Sequence, residues 1–247
     1  MIDQFKCDVD ILTTADSGPR PLGLISFACF HVTENDDSTR PDDVAHWQLD
    51  RNNESSYNVL FGVDGRTVRG NDDNYKPWAA GWTANARGVH GSAVGRAART
   101  REQWLAHPKQ LESMARWAAN VGTRYNLPFR WLTPEQLRAG ERGFCGHAEV
   151  SAAWREVDHT DPGPGFPHDV VLARAAEIAK GEPKKAENMS NKELDNLVRK
   201  LDLVLDQLAG HPGEKFPGWE QLGDRTVVNA LGAIGAALNV PGCRDIK

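Results

Sequence analysis

The sequence predicts an α/β domain, a mixed central β-sheet flanked by helices, followed by a small C-terminal helical segment. Three observations predict it. Short apolar runs bounded by turn residues recur in the first hundred residues, helical periodicity takes over from Pro108, and a polar stretch near residue 182 separates a second apolar pattern.

In chain order, "GLISFACFHVT" (Gly23 to Thr33) reads as a buried strand that delivers His31 near its C-terminal end. "SSYNVLFGVDGRTVRG" (Ser55 to Gly70) is two apolar runs joined at Asp64-Gly65, the signal of a hairpin. "RGVHGSAVG" (Arg87 to Gly95) alternates enough for another strand. From Pro108 to Asn126, Leu111, Met114, Ala115, Ala118 and Tyr125 share one helical face, and Pro108 suits the first turn. Thr133 as N-cap, Pro134 behind it and Gly140 as a stop predict a shorter helix. "FCGH" then reaches His147 as the end of a core strand. "HTDPGPGFP" (His159 to Pro167) stiffens the chain with three prolines and two glycines, and "HDVVLARAAEIAKG" is a helix ended by Gly181.

"GEPKKAENMSN" (181–191) reads as a linker, so the domains are placed at 1–182 and 183–247. Beyond it, Ser190 and Glu193 suggest a capping box, and Leu194, Leu197, Leu201, Val204 and Leu208 form a seam. "DRTVVNALGAIGAAL" (Asp224 to Leu238) supplies a second helix. This module suits cell-wall targeting or dimerisation, a homodimer forming through the seam.

The chain has 247 residues and a formal net charge of −5, all of it on residues 1–182, which speaks against a nucleic-acid binder. No apolar run reaches the roughly 18 residues of a membrane span. "MIDQFKCDVD" offers neither a basic nor an apolar leader region, so no Sec signal peptide is expected. The four cysteines are scattered without a CxxC, as in a reduced, cytoplasmically made protein.

Of the eight histidines, His46, His90, His107, His168 and His211 lack ligand-like neighbours and read as surface or hydrogen-bonded side chains. His31 and His147 end strands, and Asp161 opens the rigid turn fourteen residues after His147. Two histidines and a carboxylate are a common catalytic zinc set that leaves a fourth position for water. Spacing alone also allows a closed structural site, because Cys29 and His31, like Cys145 and His147, lie at i and i+2. Trp104 and Trp117 read as core. Trp78 and Trp82 flank the expected cleft.

"CFHVT", "SYNVLFGVDGRTVRG", "PWAAGW", "FCGHAEVS" and "TDPGPGFP", in that order, resemble the zinc-dependent type 2 N-acetylmuramoyl-L-alanine amidases. That family includes phage endolysins and the peptidoglycan recognition proteins. "RGVHGSAVGRAARTREQWL" and "FPGWEQLGDRTVVNALGAIG" are similar, more narrowly, to lysin A endolysins of mycobacteriophages. The resemblance implies one zinc ion held by His31, His147 and Asp161, with Tyr57 in the cleft. His159 stands where many relatives carry lysine, and Glu149 is a supporting or structural carboxylate. Asn58, Trp78 and Trp82 are assigned to substrate. It also implies cleavage of the amide between N-acetylmuramic acid and L-alanine by zinc-activated water. The partner is bacterial peptidoglycan, reached from the host cytoplasm after release.

Two departures stand out. Ser92 occupies the strand position where several bacterial relatives carry a glutamate, and "WAAG" lacks the histidine of the frequent Trp-His-Ala-Gly. Imidazole can gain or lose its proton in the physiological range where a lysine would stay charged, so activity is expected to follow the protonation of His159. The rival function is a peptidoglycan-binding module on the same fold that has lost catalysis.

Overall fold

The computed structural model describes residues 3–181 and 227–238. The chain divides into two compact units, 1–184 and 185–247. The linker, the Ser190/Glu193 box and the leucine seam lie outside the described residues. In the second unit a helix spans Val227–Ala237, within the predicted stretch. Among the described residues no helix is long and apolar enough to cross a membrane.

The first unit carries strands β1 (Val9–Asp10), β2 (Asp16–Pro19), β3 (Phe27–Val32), β4 (Val59–Phe61), β5 (Thr67–Arg69), β6 (Tyr75–Pro77), β7 (Gly88–Ala93) and β8 (Gly143–Gly146). The six-stranded sheet runs β1-β5-β4-β7-β3-β8, and β2 pairs with β6 apart from it. Only β4 and β5 are antiparallel within the six. They are the predicted hairpin, with Leu60 opposite Val68 and Gly65 at φ +91° in the turn. The sheet is therefore mixed, as the sequence predicts.

The helices are α1 (Pro41–Trp47), α2 (Trp82–Arg87), α3 (Arg101–Leu105), α4 (Pro108–Arg124), α5 (Pro134–Arg138), α6 (His147–Trp154) and α7 (His168–Ala179). α4 begins with Pro108, whose missing N–H is no loss in a first turn, and buries Leu111, Met114, Trp117, Ala118 and Val121. Its buried Gln110 donates to the Phe61 and Val94 carbonyls at 3.0 and 2.8 Å, tying the helix to the ends of β4 and β7. α5 carries the predicted cap: Gln136 N–H donates to Thr133 Oγ1, and Thr133 N–H donates to the Gln136 side chain. Such a box is worth about 1 kcal/mol.

β3 is buried along its whole length, as expected of a parallel strand covered on both faces. Side chains alternate, so its two faces feed two cores. Ala28, Phe30 and Val32 join Trp104, Trp117, Phe144 and Phe166 in the larger one, under α4 and α7. Phe27 and Cys29 join Cys145, Leu137 and Val150 on the opposite face. His31 is the next residue on that second face. There the apolar packing stops and polar side chains begin.

Two further constraints act at opposite ends of the sheet. The buried Arg20 donates to the carbonyls of Asp73, Asn85 and Gly88, binding the small β2-β6 ribbon to the start of β7. Gly146 has no side chain because Pro162 passes there: an added Cβ would lie 2.8 Å from Pro162 Cδ. The turn after Thr160 can thus lie against the end of β8.

Candidate metal centre

The carboxyl ends of parallel strands are where an open α/β sheet collects its functional side chains. His31 is the second-to-last residue of β3 and is fully buried. His147 follows the end of β8. It is the first residue of α6 and not, as the sequence suggests, part of the strand, because the chain turns helical at Gly146. Glu149 enforces that turn by accepting a hydrogen bond from Gly146 N–H at 2.8 Å. Its place is therefore structural, at the start of the helix that presents His147. Asp161 comes from the proline-rich turn and is 9% exposed.

The three side chains converge. His31 Nδ1 lies 3.2 Å from His147 Nδ1 and 3.3 Å from Asp161 Oδ2, and His147 Nδ1 lies 3.1 Å from Asp161 Oδ1. A tetrahedral ion bound at about 2.0–2.1 Å sets ligand–ligand edges of roughly 3.3 Å. Two imidazole nitrogens and a carboxylate at that spacing fit zinc in both chemistry and size. Asp161 is held from behind, since Val32 N–H donates to its Oδ2 at 3.1 Å. Burial would raise its carboxyl, but hydrogen bonds from His147 and His31 hold it well below the usual range. Burial pushes His31 down to about 4 even though Asp161 pulls the other way.

A cleft of about 500 Å³ opens over this group, lined among others by Tyr57, Trp78, His147, His159 and Asp161. The Tyr57 ring stands 5.2 Å from that of His31. Burial and the negative charge of Asp161 push its hydroxyl up to about 12, so it keeps its proton. His159 is exposed at the mouth and stacks on His147, centroids 4.7 Å apart at 18°. Trp78 is pinned by its Nε1–H donating to Ser17 Oγ at 2.9 Å, with the Arg51 guanidinium over the ring.

Two residues assigned to substrate fall elsewhere. Asn58 is fully buried, accepting from His90 N–H at 2.8 Å and donating to Asp72 O, so it joins strands and lines no cleft. Trp82 begins α2, stands 68% exposed and lies beside Lys76, outside the cleft lining. Ser92 is buried on β7 opposite His31. Cys29 and Cys145 are buried opposite each other on β3 and β8. The group that ties His31 to His147 contains no cysteine, while Cys29, His31 and His90 form a separate cluster.

The sequence reading missed Glu34, Glu54 and Asp158, which join Asp161 in giving the cleft an acidic wall. Glu34 and Glu54 have positive φ, 56° and 48°, a strained turn conformation that no local motif announced.

A family model described as N-acetylmuramoyl-L-alanine amidase matches residues 20–164. A second, described as the Rv3766 C-terminal domain, matches residues 182–241. Among solved structures the chain is similar to the Staphylococcus aureus hydrolase AmiA in complex with its ligand. The identity is 16% and the TM-score 0.54, over 74% of this chain and 99% of that one. It is also similar to the endolysine N-acetylmuramoyl-L-alanine amidase LysCS from Clostridium intestinale URNW. There the identity is 16% and the TM-score 0.46, over 71% and 99%. No curated protein matches.

Proposed function

The chain belongs to the N-acetylmuramoyl-L-alanine amidase family and is a peptidoglycan amidase, and from that premise we propose that it is a zinc endolysin with His31, His147 and Asp161 as ligands. The convergence of those three donors at 3.1–3.3 Å supports the reading most strongly. When bound, zinc supplies Lewis-acid polarisation of the scissile carbonyl and a water acidified toward neutrality.

The chain's own residues do the rest. His31 and His147 present their Nδ1 atoms as neutral donors, and Asp161 adds the charge that partly neutralises the ion. Tyr57, protonated and beside His31, orients the attacking water by hydrogen bond. His159 is fixed by its stack on His147 and exposed on its outer side, where a ring N–H reaches the carbonyl oxygen as negative charge develops. The face of Trp78 offers a sugar ring a flat apolar contact.

Loss of one oxyanion donor typically costs 10²–10³ in kcat. His159→Ala is expected to lose about that much while keeping its zinc, measured by steady-state digestion and metal content. A kcat within a few-fold of the parent would remove His159 from catalysis.

The decisive experiment digests purified peptidoglycan with zinc-loaded protein and with chelated protein, followed by mass spectrometry. Stem peptides beginning with L-alanine are expected from the loaded sample alone. Retention on the wall without cleavage by the zinc-loaded protein would sink the catalytic reading. The resemblance to mycobacteriophage lysins supports a phage origin and release from the host cytoplasm. The 183–247 module is assigned to wall targeting or dimerisation. Pelleting of the chelated protein with the wall, lost on truncation after residue 182, would decide for targeting.

A further inference from the structure

One buried histidine is left unused by this chemistry. His90 sits on β7 directly opposite Cys29, fully buried, on the same sheet face as His31. Its Nδ1 lies 3.0 Å from His31 Nε2, and its Nε2 lies 3.3 Å from the Ala84 carbonyl oxygen. We infer that His90 is a positioning residue, which fixes the tautomer and aim of His31 so that its Nδ1 faces the metal.

A carbonyl oxygen only accepts, so the proton of neutral His90 belongs on Nε2, facing Ala84. His90 Nδ1 is then an acceptor, and the 3.0 Å contact requires His31 Nε2 to be the donor. With its proton held on Nε2, His31 offers an ion the lone pair of Nδ1, the atom that faces His147 Nδ1 and is hydrogen-bonded to Asp161 when no ion is bound. That is the form a cation needs. The opposite tautomer would place two lone pairs against each other between His31 and His90, in a site without exposure.

Ligating histidines usually pass their second N–H to a carboxylate, carbonyl or water. Here a second imidazole takes that part and passes its own N–H to the backbone of α2. The support is one-sided, since His147 Nε2 is buried and finds no partner among the described residues. His31 is therefore the ligand whose orientation the protein determines in advance.

The inference rests on the metal-centre reading above, and the test separates the two. His90→Leu removes the acceptor, whereas His90→Asn keeps an oxygen at the Nδ1 position and loses the reach to Ala84. Zinc affinity, measured by chelator competition, is expected to fall by roughly 10–100-fold in the leucine variant, the usual cost of losing such a partner. The asparagine variant is expected to stay near the parent, which a purely structural role through Ala84 would not permit. Equal affinity in all three chains would overturn the inference, as would loss in both variants.

Zinc stoichiometry is expected to be one per chain. Two would overturn it, because Cys29, His31 and His90, whose donor atoms lie within 4.8 Å, would then be ligands themselves. Ring-nitrogen NMR of the unmodified chain gives a reading free of folding effects. In the zinc-loaded chain His90 is expected to carry its proton on Nε2 and to accept at Nδ1, and a His90 protonated on Nδ1 would overturn the inference. Parent protein that binds no zinc would sink the metal-centre reading, whereas zinc bound by the parent with His90 protonated on Nδ1 would sink the inference alone.

Discussion

Replacing Asp161 by alanine is expected to strip the protein of zinc and to reduce peptidoglycan cleavage by more than about 10³-fold, since losing even a supporting partner of a ligand costs 10–100-fold. The substitution removes the only anionic donor of the three. It leaves two neutral imidazoles, and it deprives Val32 N–H of its acceptor inside the protein. Asp161→Asn separates these effects. Its side-chain oxygen still accepts from Val32, so the fold at the end of β3 is retained, while the charge and one metal-facing oxygen are gone. The asparagine variant is therefore expected to melt close to the parent in chelator and to bind zinc far more weakly. Metal content and digestion rate measured together decide the matter. An alanine variant that retains one zinc and cuts within tenfold of the parent would show that Asp161 is not a ligand.

Gly163→Ala carries the largest expected effect on stability. Gly163 has φ +86°, which disfavours any side chain, and a Cβ there would lie 1.9 Å from the Ala97 carbonyl oxygen. The obstacle is backbone, so relief means moving the whole turn away from the segment after β7. Gly140 is the control. It also has positive φ, 78°, but its nearest neighbour is the flexible end of Arg87 at 3.4 Å. Gly140→Ala is expected to cost about 1 kcal/mol and Gly163→Ala about 3 kcal/mol or more. The turn that moves carries Asp161, so Gly163→Ala should weaken zinc binding as well. Chemical denaturation of both variants, with zinc titration of each, tests this. Equal destabilisation by the two substitutions would refute the close-approach argument.

The parts of the site that were legible in the sequence are those fixed by local rules. His31 could be placed because β3 alternates strictly and its polar residue comes at the end of an apolar run. The turn around Asp161 could be read because prolines and glycines leave few conformations. The place of His147 is not local, since nothing in "FCGH" says that the strand stops at Gly146, where Pro162 packs from sixteen residues away.

Asn58 and Trp82 cannot be placed from sequence for a different reason. A polar residue at the start of a strand and a tryptophan near a glycine look the same in sequence whether they face a cleft, a neighbouring strand or solvent. The partnership of His90 with His31 depends on the register that sets β7 beside β3 in parallel, with Cys29 opposite His90. No spacing within one strand encodes it.

The three metal-facing atoms come from places far apart in the chain: His31 and His147 are 116 residues apart, and Asp161 reaches back across 129 residues to accept from Val32 N–H beside His31. An ion bound by all three is therefore also a removable cross-link, closing most of the first unit into a ring at its centre. Ordering such a long loop is a cost the polypeptide meets once, on folding, and a bound ion adds to the native state alone. With free zinc about a thousandfold above its dissociation constant, that addition is about 4 kcal/mol, comparable to what the Gly163 substitution takes away. Under the zinc reading proposed above, the supply of metal would set how long the chain survives proteases and heat, as well as whether it cuts the wall.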